Sequence, residues 1–230
     1  MYQKIIDIAN QIEDKIIAQR RDFHKYAEAG WLEMRTSSII AGKLTDLGYE
    51  VLTGENVCKA SARMGLPPDN ELEAHYNWAK NNGADLRFLK QTKGGFTGVI
   101  GILDCGEGPT VAMRFDIDAL GVIENKDDSH KPYKFGFSSV NDGTMHSCGH
   151  DGHASIGLGV AEVLMNIKES LHGKVKLIFQ PAEEGVRGAK AIVEKGHLDN
   201  VDYFLASQII MKHNQNLVPV VFANLAFSCE

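Results

Sequence analysis

Ile5, Ile6, Ala9, Ile12, Ile16 and Ile17 recur at helical spacing with charged residues on the other face, which predicts an opening helix over residues 3 to about 26. A second helix is predicted after Thr36. There Ile39, Ile40, Leu44 and Leu47 repeat at three to four, and Gly48 stands where a helix C-terminal glycine is expected. The period then changes. Tyr49 to Leu52, Phe96 to Leu103, Thr110 to Phe115, Val175 to Phe179 and Tyr203 to Ile210 are short β-rich runs. His150 to Leu164 and Ala189 to Glu194 carry helical patterns among them. Strands alternating with helices predict an α/β fold, a mostly parallel mixed sheet flanked by helices. Gly106-Glu107-Gly108-Pro109 separates the run ending at Leu103 from the one starting at Thr110, and predicts that these two strands pair through a turn.

Residues 54 to 95 break this rhythm. Met64-Gly-Leu-Pro-Pro-Asp69 is a turn signal, and Leu72, His75, Tyr76 and Ala79 suggest a short helix before Gly83. The segment reads as an insertion.

A length of 230 residues, 43% of them hydrophobic, is ample for a buried core. The formal charge of -6 and the lack of any Lys/Arg run exclude a nucleic-acid footprint. Met1-Tyr2-Gln3-Lys4 leads straight into the amphipathic pattern, and no stretch is long enough to span a bilayer, so a cytoplasmic protein with no membrane partner is expected. Cys58, Cys105, Cys148 and Cys229 share no pairing pattern, and reduced thiols are expected.

Chemistry concentrates in two places. His146-Ser-Cys148-Gly-His150-Asp151-Gly-His153 puts one thiol, three imidazoles and a carboxylate into eight residues, and Pro181-Ala-Glu183-Glu184 follows. Thiolate, imidazole and carboxylate together suit zinc, with manganese or cobalt as substitutes, and an adjacent carboxylate can serve a metal-activated water as its base. A lone histidine is more often structural than a ligand. Burying this many ionisable groups without a metal would be costly, however, and the clustering favours a metal site. Cys148 and His150, two apart, fit the turn that opens a helix, and His150 can share a helical face with His153. His150 needs an acceptor such as Asp151, Asp116 or Asp118 to fix its tautomer. Glu183 and Glu184 follow a strand at the carboxyl end where α/β sheets place their sites. Neighbouring side chains there point apart, so Glu184 is assigned as ligand and Glu183 as general base with a raised pKa. Asp116 and Asp118 also end a strand, with a cap or a surface turn as the plainer alternative. Arg20, Arg21 and His24 on the first helix read as solvated or packing residues.

These motifs stand in the order of a known family. Arg20-Arg21-x-x-His24 with Glu28, Glu33 and Thr36, Arg114-Phe-Asp-Ile-Asp118-Ala-Leu120, His146-x-Cys-Gly-His-Asp-Gly-His153, Phe179-Gln-Pro-Ala-Glu-Glu-Gly185 and Gly188-Ala189 resemble the metal-dependent amidohydrolases that include aminoacylases, hippurate hydrolases and auxin-conjugate hydrolases. Met64-Gly-Leu-Pro, Gly83-Ala-Asp85 and Lys93-Gly-Gly-Phe-Thr-Gly98 look most like the branch that cleaves p-aminobenzoyl-glutamate to p-aminobenzoate and glutamate. The resemblance implies a zinc-peptidase-like catalytic domain and a dinuclear zinc or manganese site. In it Cys148, His150 and Glu184 match ligands, Glu183 matches the base, and Asp116, Asp118, Asp151 and His153 support them. It implies a small N-acyl amino acid for substrate and, for partner, a second copy or second subunit. The chain departs from the family at Gln208, where members carry a histidine ligand. Residues 1–230 correspond to the N-terminal part of the catalytic domain with the insertion at about 54–95, and the lid or dimerisation domain and the C-terminal catalytic segment are expected to be absent. Two expectations follow: an amidohydrolase acting on an N-acyl amino acid, or a truncated, catalytically inactive homologue or binding subunit with a degenerate metal site.

Overall fold

The computed structural model describes residues 1–211 and 217–223, and His213 and Cys229 lie outside them. In chain order the elements are helices α1 (Tyr2–Lys25) and α2 (Met34–Asp46), strand β1 (Glu50–Thr53), helix α3 (Asp69–Asn81), strands β2 (Val99–Asp104) and β3 (Thr110–Asp116), helices α4 (Lys131–Lys134) and α5 (His150–Asn166), strand β4 (Lys174–Gln180), helix α6 (Ala189–Val193), and strands β5 (Tyr203–Met211) and β6 (Leu217–Ala223). The sheet is mixed, in the order β1-β2-β4-β3-β5-β6. Its centre is parallel, β4 with β3 and β3 with β5. Its flanks are antiparallel, β1 with β2, β2 with β4, and β5 with β6. The expected α/β class and flanking helices are present.

β2 and β3 do not pair, contrary to the expectation of a hairpin, because β4 lies between them. The Gly-rich link does not fold into a tight turn. It arches over the start of β4, with the Cys105 N–H donating to the Gly173 carbonyl at 2.8 Å and the Lys174 N–H donating to the Pro109 carbonyl at 3.0 Å. A Cβ at Gly173 would meet the Pro109 oxygen at 2.1 Å, so only glycine lets the two segments approach this closely. Strand β6 is an element that the hydrophobic pattern did not predict.

Alternating strand residues serve two faces. Val99, Leu103, Phe115, Leu177 and Phe179 pack with Phe23, Leu44 and Leu158 of the helices α1, α2 and α5. Ile100, Ala112 and Ile178 face the other way, against Trp31, Val57 and Ile192. The segment read as an insertion contains α3 and 3₁₀ turns, and it packs Leu72, Ala79 and Leu89 against Leu32 and Met34 at the start of α2. Asp116 and Gln180 pair side by side at the carboxyl ends of β3 and β4, next to the start of α5.

Candidate metal centre

Three chain segments converge at those carboxyl ends. The first is α5, which opens at His150 after Gly149 has turned the chain through a left-handed φ of 82°, placing Cys148 just outside the helix. The second is the stretch Asp116 to Asp118 that leaves β3. The third follows β4, where Ala182 takes φ 47° and Val186 φ 60°, both rare for residues with a Cβ. That backbone corrects one expectation. Glu183 and Glu184 do not point apart, since their carboxylates both lie 3.9 Å from His150 Nε2. Neighbouring side chains diverge only in an extended strand, and β4 ends at Gln180 before this left-handed turn.

His150 is buried and its tautomer is set by its surroundings. Nδ1 lies 2.9 Å from the Asp118 carbonyl and 3.3 Å from Asp118 Oδ1, so it carries the proton and donates. Nε2 faces Asp116 Oδ1 at 3.6 Å and the two glutamates. Of the three possible acceptors, the structure places Asp118 on His150. Asp118 also accepts the Glu184 N–H through Oδ2 at 3.0 Å, and so ties two of the assigned ligands together. Donor atoms of Cys148, His150 and Glu184 lie within 4.8 Å of one another.

The other site residues have different partners. His153 bonds Asp116 Oδ1 through Nδ1 and accepts the Ile209 N–H through Nε2 at 2.8 Å, so both ring nitrogens are committed and its ring stacks on His150. This bond holds β5 at the residue after Gln208. Asp151 faces away from His150: its Oδ2 accepts from Arg20 Nε at 2.8 Å and meets His24 Nδ1 at 2.9 Å. Of the solvated and packing alternatives, His24 takes the packing one, buried and bonded because α1 packs directly on α5. Glu33 has a supporting position that spacing gave no means to see. Fully buried, it accepts the Ala182 N–H at 2.7 Å and the Thr97 hydroxyl at 2.6 Å, bracing the turn that carries the glutamates.

The electrostatics are those of a site short of positive charge. Burial and then the Asp116 charge raise the Glu183 pKa, with Arg114 opposing. Partial burial, then Glu184, Glu183 and Asp116, push the Cys148 thiol up to about 12. Burial opposes charging of His150, but the carboxylates of Asp118, Asp116 and Glu184 outweigh it and raise its pKa to about 9. The carboxylates thus retain protons on a thiol and an imidazole, and a divalent cation would displace both. Glu184 Oε1 is buried with no hydrogen-bond partner among the described residues. An orphaned carboxylate oxygen beside the His150 Nε2 and the Cys148 thiol fits a zinc-type ion, which would replace their protons.

Similarity to known proteins runs along most of the chain. Residues 112–221 match Peptidase family M20/M25/M40. Over that stretch the chain is similar to members of this family. It is 48% identical over 208 residues to one subunit of the p-aminobenzoyl-glutamate hydrolase of Escherichia coli (strain K12), an alignment covering 90% of this chain and 48% of that protein. The aminobenzoyl-glutamate utilization protein of Klebsiella pneumoniae superposes with a TM-score of 0.74 at 41% identity, covering 88% of this chain and 44% of that one. A dinuclear metal-binding M20 peptidase of Bacillus subtilis gives a TM-score of 0.61 at 29% identity, over 85% of this chain and 42% of that one. The chain spans about half the length of the M20 relatives it matches. Among the described residues no helix is long and apolar enough to cross a membrane.

Proposed function

We propose that this chain carries the metal-binding and proton-transfer half of an amidohydrolase that cleaves the amide of an N-acyl amino acid, p-aminobenzoyl-glutamate being the first substrate to test. The observation that carries the reading is the set Cys148, His150 and Glu184, with donor atoms within 4.8 Å of one another and Glu183 beside them. Zinc or manganese fits these donors, which would hold one ion; the relative described as a dinuclear metal-binding peptidase supports two ions in the whole site. When bound, a divalent metal polarises the scissile carbonyl and lowers the pKa of water. Glu183 takes the proton of the attacking water and returns it to the departing amine, a task its raised pKa suits. Arg114 Nη2, 3.7 Å from Glu183 Oε1, keeps that carboxylate turned toward the site. Asp118 orients His150 and the Glu184 backbone, while Asp116 and His153 hold the floor beneath them. Asp151 anchors the opening turn of α5 to α1. A thiolate ligand also fits the reducing cytoplasm. The substrate's free carboxylate would meet basic groups of a lid domain, and a second copy or a second subunit is the partner to test.

Gln208 favours a second reading, a chain that binds metal without turnover, because a neutral amide is a poor replacement for an imidazole ligand. Two measurements on the purified chain separate the readings: metal content by elemental mass spectrometry, and release of p-aminobenzoate from p-aminobenzoyl-glutamate. Metal content reduced, not necessarily abolished, by Cys148→Ser, with turnover lost on Glu183→Ala, supports the hydrolase. Bound metal without turnover supports the second reading. Absence of bound metal would sink both.

A further inference from the structure

A second set of zinc-type donors lies on the far side of Asp151. His24 in the last turn of α1, Glu124 in the segment after β3, and His130 just before α4 bring one donor atom each within 4.8 Å of one another. Glu124 Oε1 is 3.0 Å from His24 Nε2 and 2.7 Å from His130 Nε2. We propose that His24, Glu124 and His130 form a distinct divalent-cation site of the His₂-carboxylate type, separate from the Cys148 set and taking zinc or a similar ion.

Two of the three donors are already oriented as ligands would be. The far nitrogen of His24, Nδ1, meets the carboxylate of Asp151 at 2.9 Å, the carboxylate–histidine arrangement that fixes a metal ligand's tautomer and raises its basicity. The far oxygen of Glu124 accepts the Ser139 N–H at 2.5 Å, which leaves Oε1 for the cation. His24 and Glu124 side chains are 2% and 4% exposed, whereas His130 is 23% exposed, so the site is closed within and open on one side, where an ion can enter and keep a water. His146 lies nearby, buried with neither ring nitrogen hydrogen-bonded among the described residues, its ring centre 6.4 Å from that of His24. The donor separations of 2.7 and 3.0 Å are those of proton-filled contacts, and seating an ion about 2.0–2.1 Å from each atom requires only that they spread by a few tenths of an ångström. Without a cation, His24 faces a carboxylate through each nitrogen and must carry two protons. An ion at Nε2 removes that requirement.

Cobalt(II) is the probe, because a thiolate ligand gives a near-ultraviolet charge-transfer band and a His₂-carboxylate set does not. The Cys148→Ser chain is expected to lose the band yet retain one cobalt per chain with weak visible absorption only. Adding His130→Ala should weaken that remaining cobalt by ~100-fold, since even a contact behind the ligand is worth 10- to 100-fold. A gain-of-signal variant guards against simple misfolding: Cys148→Ser with His130→Cys should restore a thiolate band if cobalt sits here. A Cys148→Ser chain that binds no cobalt, or binds it unchanged after His130→Ala with no band from His130→Cys, overturns the proposal. Either result leaves the Cys148 site to be judged by its own measurements.

Discussion

A carboxamide at a position where the family resemblance leads one to expect an imidazole would alter a metal site by more than its size suggests, because an amide oxygen is a weaker donor to zinc than an imidazole nitrogen. Gln208 lies one residue before Ile209, whose N–H is fixed on His153, so the backbone at this position is already held. Gln208→His is therefore expected to tighten zinc binding by ~10- to 100-fold in a competition titration with a chelator of known affinity. An unchanged affinity would remove position 208 from the ligand set. Asp151 gives a second prediction of a different kind. Burial disfavours its charge, but His24, His146 and Arg20 outweigh burial and hold its pKa at about 2 against an ordinary value of 3.8. A carboxylate depressed in the folded state contributes stability above its unfolded pKa, and that contribution is lost as pH falls through the folded one. In metal-free chain, urea unfolding from pH 5 to pH 2 should lose about 2 kcal/mol through this group, and Asp151→Asn should flatten that part of the profile.

The helix α5 delivers His150 only if it lies close on the sheet, and Gly157 sets that distance. A Cβ there would meet Phe179 Cε1 at 2.7 Å and Phe115 Cδ2 at 2.9 Å, two buried rings with no room to yield. Gly157→Ala gains about 1 kcal/mol of helix propensity, while overpacking a tight core costs about 1–3 kcal/mol. The net expectation is a less stable chain, measured as a lower urea midpoint, with weaker metal binding as α5 lifts. This dependence bears on what the sequence could reveal. The helices α1, α2 and α5 and strands β1 to β5 were legible because each pattern is local, and so was the Cys148-to-His153 cluster, which is contiguous. The order of strands was not, since the placing of β4 between β2 and β3 depends on Gly173 and Pro109, 64 residues apart in the chain. Spacing gave no sign that Glu33 braces Ala182, or that His24, Glu124 and His130 meet, because those contacts exist only once α1 has packed on α5 and the segment after β3 has closed over them.

At the scale of the whole molecule the metal and the fold are one equilibrium. Cys148 and His150 come from the start of α5 and Glu184 from the turn after β4, while Asp118 after β3 holds both parts, so an ion on this set clamps three segments that unfolding would separate. A ligand that binds the folded chain alone stabilises it by RT ln(1 + [L]/Kd), about 2.7 kcal/mol at one hundred times Kd. For a domain of this size that corresponds to a rise in Tm of roughly 5–10 °C. The same clamp relieves the charge imbalance described above, because the ion displaces the protons that the carboxylates retain on Cys148 and His150. Zinc addition should accordingly release protons into a weakly buffered solution as Tm rises, and the two signals should saturate together. Cys148→Ser should diminish both, leaving only what an ion at the His24 set contributes. A Tm that rises without proton release would place the stabilising ion elsewhere, away from this thiol and imidazole.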